Sequence, residues 1–516
     1  MTRLASVWLL VTAAVCGAVV MAVELLGARL LSVAYGGSLT VWAAMIAVTL
    51  LSLAVGYFLG GWLSDRYPRP ALLYGCLVVA AALVALCPHT GFIVQACRKA
   101  MGIRGGALAS SAIIFSLPLG LLGLTSPFII RLLCEGRQAV GIRAGGVYAI
   151  STLGSVAGTL LTGLWLIPAF GTPAGFRLAA VAMAAAGAAG LLVAFRGRGA
   201  AALAAPVLLA FAPLPAGRVG EVWTAPDGER VEVVAVRDSA HGHIVVLDKG
   251  RYRLLVVNGI VQTGIPRDLG GLAKGRCLEE DYFQELLPYA VADPRGKSAL
   301  VIGLAGGMTA AILRLYDLEL DCVDLDPEII AVAREHFGFQ GQAVAADGRQ
   351  FLEDCPRRYD FCVMDTYSGD VFPFHLASRE AFQAAKRVLN AKGMLAINYI
   401  GAPGGRAFAC LYRTLGEVFP HVLAIGGEAG DRVQTITVFA SDAEISFNKG
   451  WLDAAPGGSG GPDRVSQAIA RLTVKPARAD GLVLTDSYNP IDFLRAGEAV
   501  RWRERTAENL GEQAGF

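Results

Sequence analysis

A glycine-rich turn and a row of carboxylates carry the chemistry of this chain. Val301-Ile302-Gly303-Leu304-Ala305-Gly306-Gly307 is followed by Cys322-Val323-Asp324-Leu325-Asp326-Pro327, Ala346-Asp347-Gly348 and Val363-Met364-Asp365-Thr366-Tyr367-Ser368-Gly369-Asp370. Gly303, Gly306 and Gly307 let the backbone turn sharply after a strand and approach a ligand closely. Asp324 falls at the end of the next strand, where a carboxylate accepts both hydroxyls of a ribose. Asp347, with Gly348 behind it, stands at the third strand end, placed to accept from an adenine amino group. Three acids at successive strand ends beside such a turn describe a nucleoside pocket along the rim of a parallel sheet.

Asp365, at the fourth strand end, is the reactive candidate. A carboxylate facing the pocket orients an incoming amine and accepts its proton, because an alkylammonium must lose a proton before its lone pair attacks carbon. Asp370 is expected to hold a second cationic group, and Tyr367 or Ser368 to donate hydrogen bonds. The plainer alternative makes each acid a solvated loop residue and Asp365 a cap of the following turn or helix.

The elements that must position these groups alternate. Strands are expected at 299–302, 319–324, 343–346, 360–364 and 393–399, with helices at 307–316, 327–336, 348–353 and 378–389 between them. That order predicts a doubly wound, Rossmann-like α/β sheet of the methyltransferase type over 276–500, completed by strands near 421–425 and 434–440. A helix is expected at 278–292, a surface loop at 441–465 and a tail at 501–516. Before it, 217–275 reads as a small antiparallel β-domain of hairpins, with turns at Asp238-Ser239, Lys249-Gly250 and Asn258-Gly259.

The first 215 residues are of another kind, almost free of acidic residues. Apolar runs near 5–33, 39–63, 71–87, 106–130, 144–169 and 174–195 are each long enough to cross a bilayer, with a weaker run at 200–214, so six or seven transmembrane helices are expected. Arg3, Arg66, Arg69, Arg131, Arg137, Arg143, Arg196 and Arg198 fall on one side, against Arg98, Lys99, Arg104 and Arg177 on the other. The bias predicts a multi-pass protein of the cell membrane with a cytoplasmic N-terminus; six spans also put the soluble part in the cytoplasm, a seventh would not. Glu24 lies deep in the first run, a costly place for a carboxylate and so a further candidate. Gly56-x-x-x-Gly60 and Gly154-x-x-x-Gly158 are expected to let helices approach closely.

The net charge of +2 and the absence of a basic stripe argue against a nucleic-acid partner. The ten cysteines show neither CxxC nor Cys/His spacing, so they read as small buried side chains rather than disulfides or metal ligands.

Asn258-Gly259-Ile260-Val261-Gln262, Tyr282-Phe283-Gln284-Glu285-Leu286, the glycine turn, Val323 to Pro327, Asp347-Gly348 and Tyr359 to Asp370 resemble, in order and spacing, the spermidine synthase family of aminopropyltransferases. With the preceding helices, and with Leu484-Thr485-Asp486-Ser487-Tyr488-Asn489-Pro490, the whole chain is similar to that family's membrane-fused branch. The resemblance implies transfer of an aminopropyl group from decarboxylated S-adenosylmethionine, a co-substrate rather than a tightly bound cofactor, to putrescine. It implies that Gln262 and Asp324 contact the donor's nucleoside and Asp347 its adenine, that Tyr282 and Gln284 line the pocket between donor and acceptor, and that Asp365 is the general base. It also implies no metal, since a sulfonium is already a good leaving group, and at least a homodimer.

The chain departs from the family pattern at three places. Ala305-Gly306 stands where the family's glycine loop carries an aspartate for the donor's propylamine. Phe283 replaces a tyrosine, and Ser368 replaces the second aspartate of an Asp-x-x-Asp run. Two other readings share the same motifs: a methyltransferase using intact S-adenosylmethionine, and a membrane transporter or sensor that binds such a ligand without turnover. Gly60-Gly61-Trp62-Leu63-Ser64-Asp65-Arg66 is similar to a loop signature of major-facilitator transporters.

Overall fold

The structure, a computed structural model, describes residues 3–37, 39–134, 140–194, 208, 219–267, 297–314, 317–426, 432–445 and 473–510. The apolar run at 200–214 (residue 208 apart), the helix expected at 278–292 with Tyr282, Phe283 and Gln284, and most of the loop expected at 441–465 lie outside them. The chain divides into one unit within Met1–Arg218 and a second within Val219–Ala514.

Among the described residues the first unit is helical: α1 (Arg3–Tyr35), α2 (Leu39–Arg66), α3 (Pro70–Leu86), α4 (Gly91–Gly123), α5 (Thr125–Leu133), α6 (Val140–Leu161) and α7 (Ile167–Ala194). Among the described residues, five helical segments are long and apolar enough to cross a membrane. The last, Val140–Val193, has 54 residues. At about 1.5 Å per residue that is more than twice the bilayer core of about 30 Å. It does not run straight, because Gly171 leaves the helix at φ 76°, between the runs expected at 144–169 and 174–195. Gly102 breaks α4 in the same way at φ 67°, just before the run expected at 106–130.

The glycine motifs of this unit sit at backbone-to-backbone crossings. A Cβ built on Gly154 would lie 2.1 Å from the Ala14 carbonyl oxygen of α1, and one on Gly158 2.4 Å from that of Ala18. One on Gly56 would meet the Gly120 oxygen of α4 at 2.3 Å. Small residues at these positions let the helix backbones approach closely and pack through van der Waals contact.

The second unit opens with a five-stranded antiparallel sheet in sequence order: β1 (Val222–Thr224), β2 (Arg230–Asp238), β3 (His243–Lys249), β4 (Tyr252–Val257) and β5 (Ile260–Pro266). The β4–β5 turn is the two-residue Asn258-Gly259 loop, with φ values of 50° and 78°, which suits the right-handed twist of the strands it joins. Ile244, Val246, Leu255, Val257 and Ile265 project from one face onto Met308, Ile312, Ile329 and Val332 of the following helices.

The larger sheet has eight strands, β6 (Ser298–Ile302), β7 (Glu319–Asp324), β8 (Ala343–Ala345), β9 (Tyr359–Met364), β10 (Leu389–Gly401), β11 (His421–Gly426), β12 (Gln434–Ser441) and β13 (Thr473–Val474). Their spatial order is β13-β11-β12-β10-β9-β6-β7-β8. The helices between them are α8 (Met308–Arg314), α9 (Pro327–Phe337), α10 (Gly348–Asp354), α11 (Arg379–Arg387) and α12 (Arg406–Val418). Ala299, Leu300, Val301 and Ile302 of β6 are all buried, as a central strand covered on both faces demands. β6 pairs in parallel with β7 on one side and β9 on the other, so the chain direction of the winding reverses there and opens a crevice at the strands' carboxyl ends. The strands expected to complete the sheet are antiparallel: β12 inserts between β10 and β11.

The last helix among the described residues, α13 (Ile491–Leu510), runs on through Arg501, where a tail was expected to begin. It belongs to the core of this unit: Arg495, Glu498 and Arg503 on it are all buried.

Candidate active site

The glycine turn is shaped by backbone proximity. Gly303 follows β6 at φ 92°, and a Cβ there would stand 1.7 Å from the Asp365 carbonyl oxygen. The turn closes with Ala305 at φ 46° and Gly307 at φ 79°, and the Gly306 N–H donates to Thr263 Oγ1 of β5 at 3.1 Å.

Asp324, the last residue of β7, anchors that turn. Its Oδ2 accepts the Leu304 N–H at 2.8 Å and its Oδ1 the Asp326 N–H at 2.9 Å. The residue reaches solvent at one edge, yet burial of its carboxyl group raises the pKa above the usual value, against the lowering pull of these N–H donors. The Ala305 N–H also reaches this carboxylate, which leaves one of its four lone pairs open to a further donor.

Asp347 is the N-cap of α10. Its Oδ1 accepts the N–H groups of Arg349 and Gln350 at 2.9 and 3.0 Å, and its Oδ2 lies 3.1 Å from His375 Nε2. Gly348 has a packing reason to be glycine, since a Cβ would come within 2.4 Å of Ile302 Cγ2.

Asp365 follows β9 and its N–H donates to Ile302 O at 2.8 Å. Its Oδ1 accepts from Asn398 Nδ2 of β10 at 2.8 Å. Along the rim the order is therefore Asp347, Asp324, the glycine turn and Asp365, all at carboxyl ends of strands in one sheet.

The rest of the expected set divides differently. The Tyr367 hydroxyl accepts the Ile400 N–H at 2.7 Å and, with its pKa pushed up to about 12 by burial, keeps a proton to donate. The Arg495 guanidinium lies 5.2 Å from the Tyr367 ring and 5.5 Å from those of Phe372 and Tyr399, so aromatic faces surround this buried cation. Ser368 forms a tight bridge with Val371 through two 3.2 Å backbone hydrogen bonds. Gln262, expected on the donor's nucleoside, donates through Nε2 to the Gly369 carbonyl at 3.2 Å.

Asp370 requires a correction. A role in holding a second cationic group needs a carboxylate open to it, but both oxygens accept from Arg503, Oδ2 from Nε at 3.1 Å and Oδ1 from Nη2 at 2.8 Å. Its charge is already neutralised by the protein.

Sequence reasoning missed Asn398, Arg495, Arg503 and His375. Asn398 had a usable signal, being the fifth strand's counterpart of the acids at the other strand ends; the three others approach from segments remote in sequence.

A mixed sheet with a glycine turn and acids along its carboxyl edge defines a doubly wound, Rossmann-like α/β unit. Residues 286–398 match the family model described as "Spermine/spermidine synthase domain". A polyamine aminopropyltransferase from Vibrio vulnificus is 29% identical over 126 residues, 23% of this chain and 42% of that protein; the match thus spans less than half of the relative's length. Polyamine aminopropyltransferase 1 of Streptomyces coelicolor is 25% identical over 518 residues, 96% of this chain and 92% of its own. Among solved structures, a probable spermidine synthase from Corynebacterium glutamicum is similar at 20% identity and a TM-score of 0.36, covering 51% of this chain and 98% of that one.

Proposed function

We propose that the chain is a membrane-anchored aminopropyltransferase that moves an aminopropyl group from decarboxylated S-adenosylmethionine to putrescine, giving spermidine and methylthioadenosine. The alignment of Asp347, Asp324 and Asp365 along one sheet edge, interrupted by the Gly303 turn, carries the reading. The adenosyl group would lie along Asp347 and Asp324, leaving its sulfonium beside Asp365. The acceptor nitrogen attacks the propyl carbon bonded to sulfur. The C–N bond forms, the C–S bond breaks with its electron pair returning to sulfur, and the proton given up by nitrogen goes to Asp365. The five apolar helical segments support anchoring in a lipid bilayer, and the arginine bias of the connections supports a cytoplasmic catalytic unit. Association into a homodimer through the small β-sheet completes the proposal.

The test is product analysis of the full chain in detergent or nanodiscs, given the decarboxylated donor and putrescine, with Asp365→Asn as control. Spermidine and methylthioadenosine from the wild type, falling about 100- to 10,000-fold in the variant, support the reading. Equal inertness of both proteins while donor still binds sinks it. A second reading, methyl transfer from intact S-adenosylmethionine, is favoured by Ala305, which leaves the glycine turn without a carboxylate for the donor's amine. Tighter binding of the intact donor, with a methylated product, would replace the first reading by the second.

A further inference from the structure

Asn398 stands beside Asp365 for a reason the ladder makes plain. Ile397 is paired with Met364 in the parallel β9–β10 register, so the next residues, Asn398 and Asp365, are level and project to the same side. The amide nitrogen donates to the carboxylate at 2.8 Å. That bond also fixes the amide's orientation, because turning it over would set a carbonyl oxygen against a carboxylate oxygen. The amide oxygen, Oδ1, then points elsewhere and is buried without a hydrogen-bond partner. A buried carbonyl in that condition is costly, and it calls for a donor that a ligand, an ion or a water supplies.

We infer that Asn398 is an acceptor-binding residue: its amide nitrogen orients Asp365 and its amide oxygen receives an N–H of the incoming amine. The inference rests on the transfer reading above and deepens it. Of the other residues on the turn and the Asp365 loop, positions 305 and 368 are alanine and serine rather than carboxylates, and Asp370 is taken by Arg503. Asn398 supplies a neutral acceptor at the rim, beside the base. Two acceptors side by side select a nitrogen nucleophile with at least two N–H bonds, a primary amine, over a secondary amine of equal basicity.

The experiment compares wild type with Asn398→Leu, which keeps the volume and removes both polar atoms, and with Asn398→Asp, which keeps an acceptor. Acceptors are 1,4-diaminobutane and its N,N′-dimethyl analogue, whose two nitrogens are both secondary. Donor affinity is measured by titration calorimetry in parallel, as the check that each variant is folded. Asn398→Leu is expected to lower kcat/KM for both acceptors, because the bond that orients Asp365 is lost, and to lower it at least threefold further for the primary diamine than for the dimethyl analogue. The ratio of the two thus shrinks by a factor of three or more, and Asn398→Asp restores part of it. An unchanged ratio with donor binding intact overturns the inference and leaves a purely structural amide. Absence of aminopropyl transfer in the wild type sinks the transfer reading instead, and is seen before any variant is compared.

Discussion

Arg503 and Asp370 form a buried, two-point ion pair across the second unit, with the guanidinium and the carboxylate 2% and 8% exposed. Asp370 closes the loop that begins at Asp365, and Arg503 lies near the end of α13. The same guanidinium donates through Nη1 to the Asn258 carbonyl at 2.8 Å, at the tip of the β4–β5 hairpin. Gln262 of β5 donates to Gly369 of the same loop. One side chain of α13 therefore ties the small sheet to the loop that begins at Asp365.

Removing one partner of this pair leaves the other charged and buried. Arg503→Met is expected to destabilise the second unit by about 3–5 kcal/mol, and Asp370→Leu by a similar amount, whereas the double variant recovers most of the loss. Urea unfolding of the full chain in detergent, followed by tryptophan fluorescence, measures all three. Additive losses in the double variant would show that the two groups do not act as a pair.

Gly303 offers a sharper test of the turn. An alanine there must hold φ near 92° and place its Cβ against the Asp365 carbonyl oxygen. The left-handed backbone alone costs about 1–2 kcal/mol, and relief of the clash must move either the turn or the Asp365 strand end. Gly303→Ala is expected to weaken donor binding at least tenfold by calorimetry. Wild-type affinity in that variant would mean that the turn does not approach the donor.

How much of this was legible in the sequence follows from which forces are local. The hairpin at Asn258-Gly259, the glycine turn and the parallel strands were readable because positive φ, period-two alternation and continuous apolar runs leave marks within a few residues. So were Asp324, Asp347 and Asp365, each a strand-end residue. Asp370 was misjudged because its partner lies 133 residues away on α13, and the sequence around Arg503 looks like a solvated helical tail. The antiparallel insertion of β12 was equally hidden, since the order of strands in space leaves no local mark. In the first unit the small-residue spacing announced close helix crossings without saying which helices cross.

Asp360 gives the pH dependence. Burial opposes its ionisation, but the N–H groups of Lys297 and Ser298, the Ser298 hydroxyl and the Asn390 amide together hold its pKa below the ordinary value. A carboxyl whose folded pKa is depressed contributes stability above its unfolded pKa of about 3.9 and loses it as the pH falls through the folded value. Asp360→Ala should therefore be clearly less stable than wild type at neutral pH, with the gap narrowing once the pH drops below about 3.9. Urea midpoints at neutral and acid pH decide it. A gap that stays constant or widens on acidification would falsify the assignment.

The crossing of α1 and α6 is the last point where a single atom should matter. Gly154 lets the Ala14 carbonyl approach to within 2.1 Å of where a Cβ would be, and neither backbone can give way without shifting its helix. Gly145, earlier on α6, has nothing within 4 Å of a Cβ. Gly154→Val should thus destabilise the helical unit by at least about 1–3 kcal/mol through overpacking. Gly145→Ala should be neutral or stabilising, because alanine favours a helix by about 1 kcal/mol over glycine. Thermal denaturation in detergent separates the two: a large drop for Gly154→Val with none for Gly145→Ala is the expected pattern. Equal behaviour would place the close crossing elsewhere on α6.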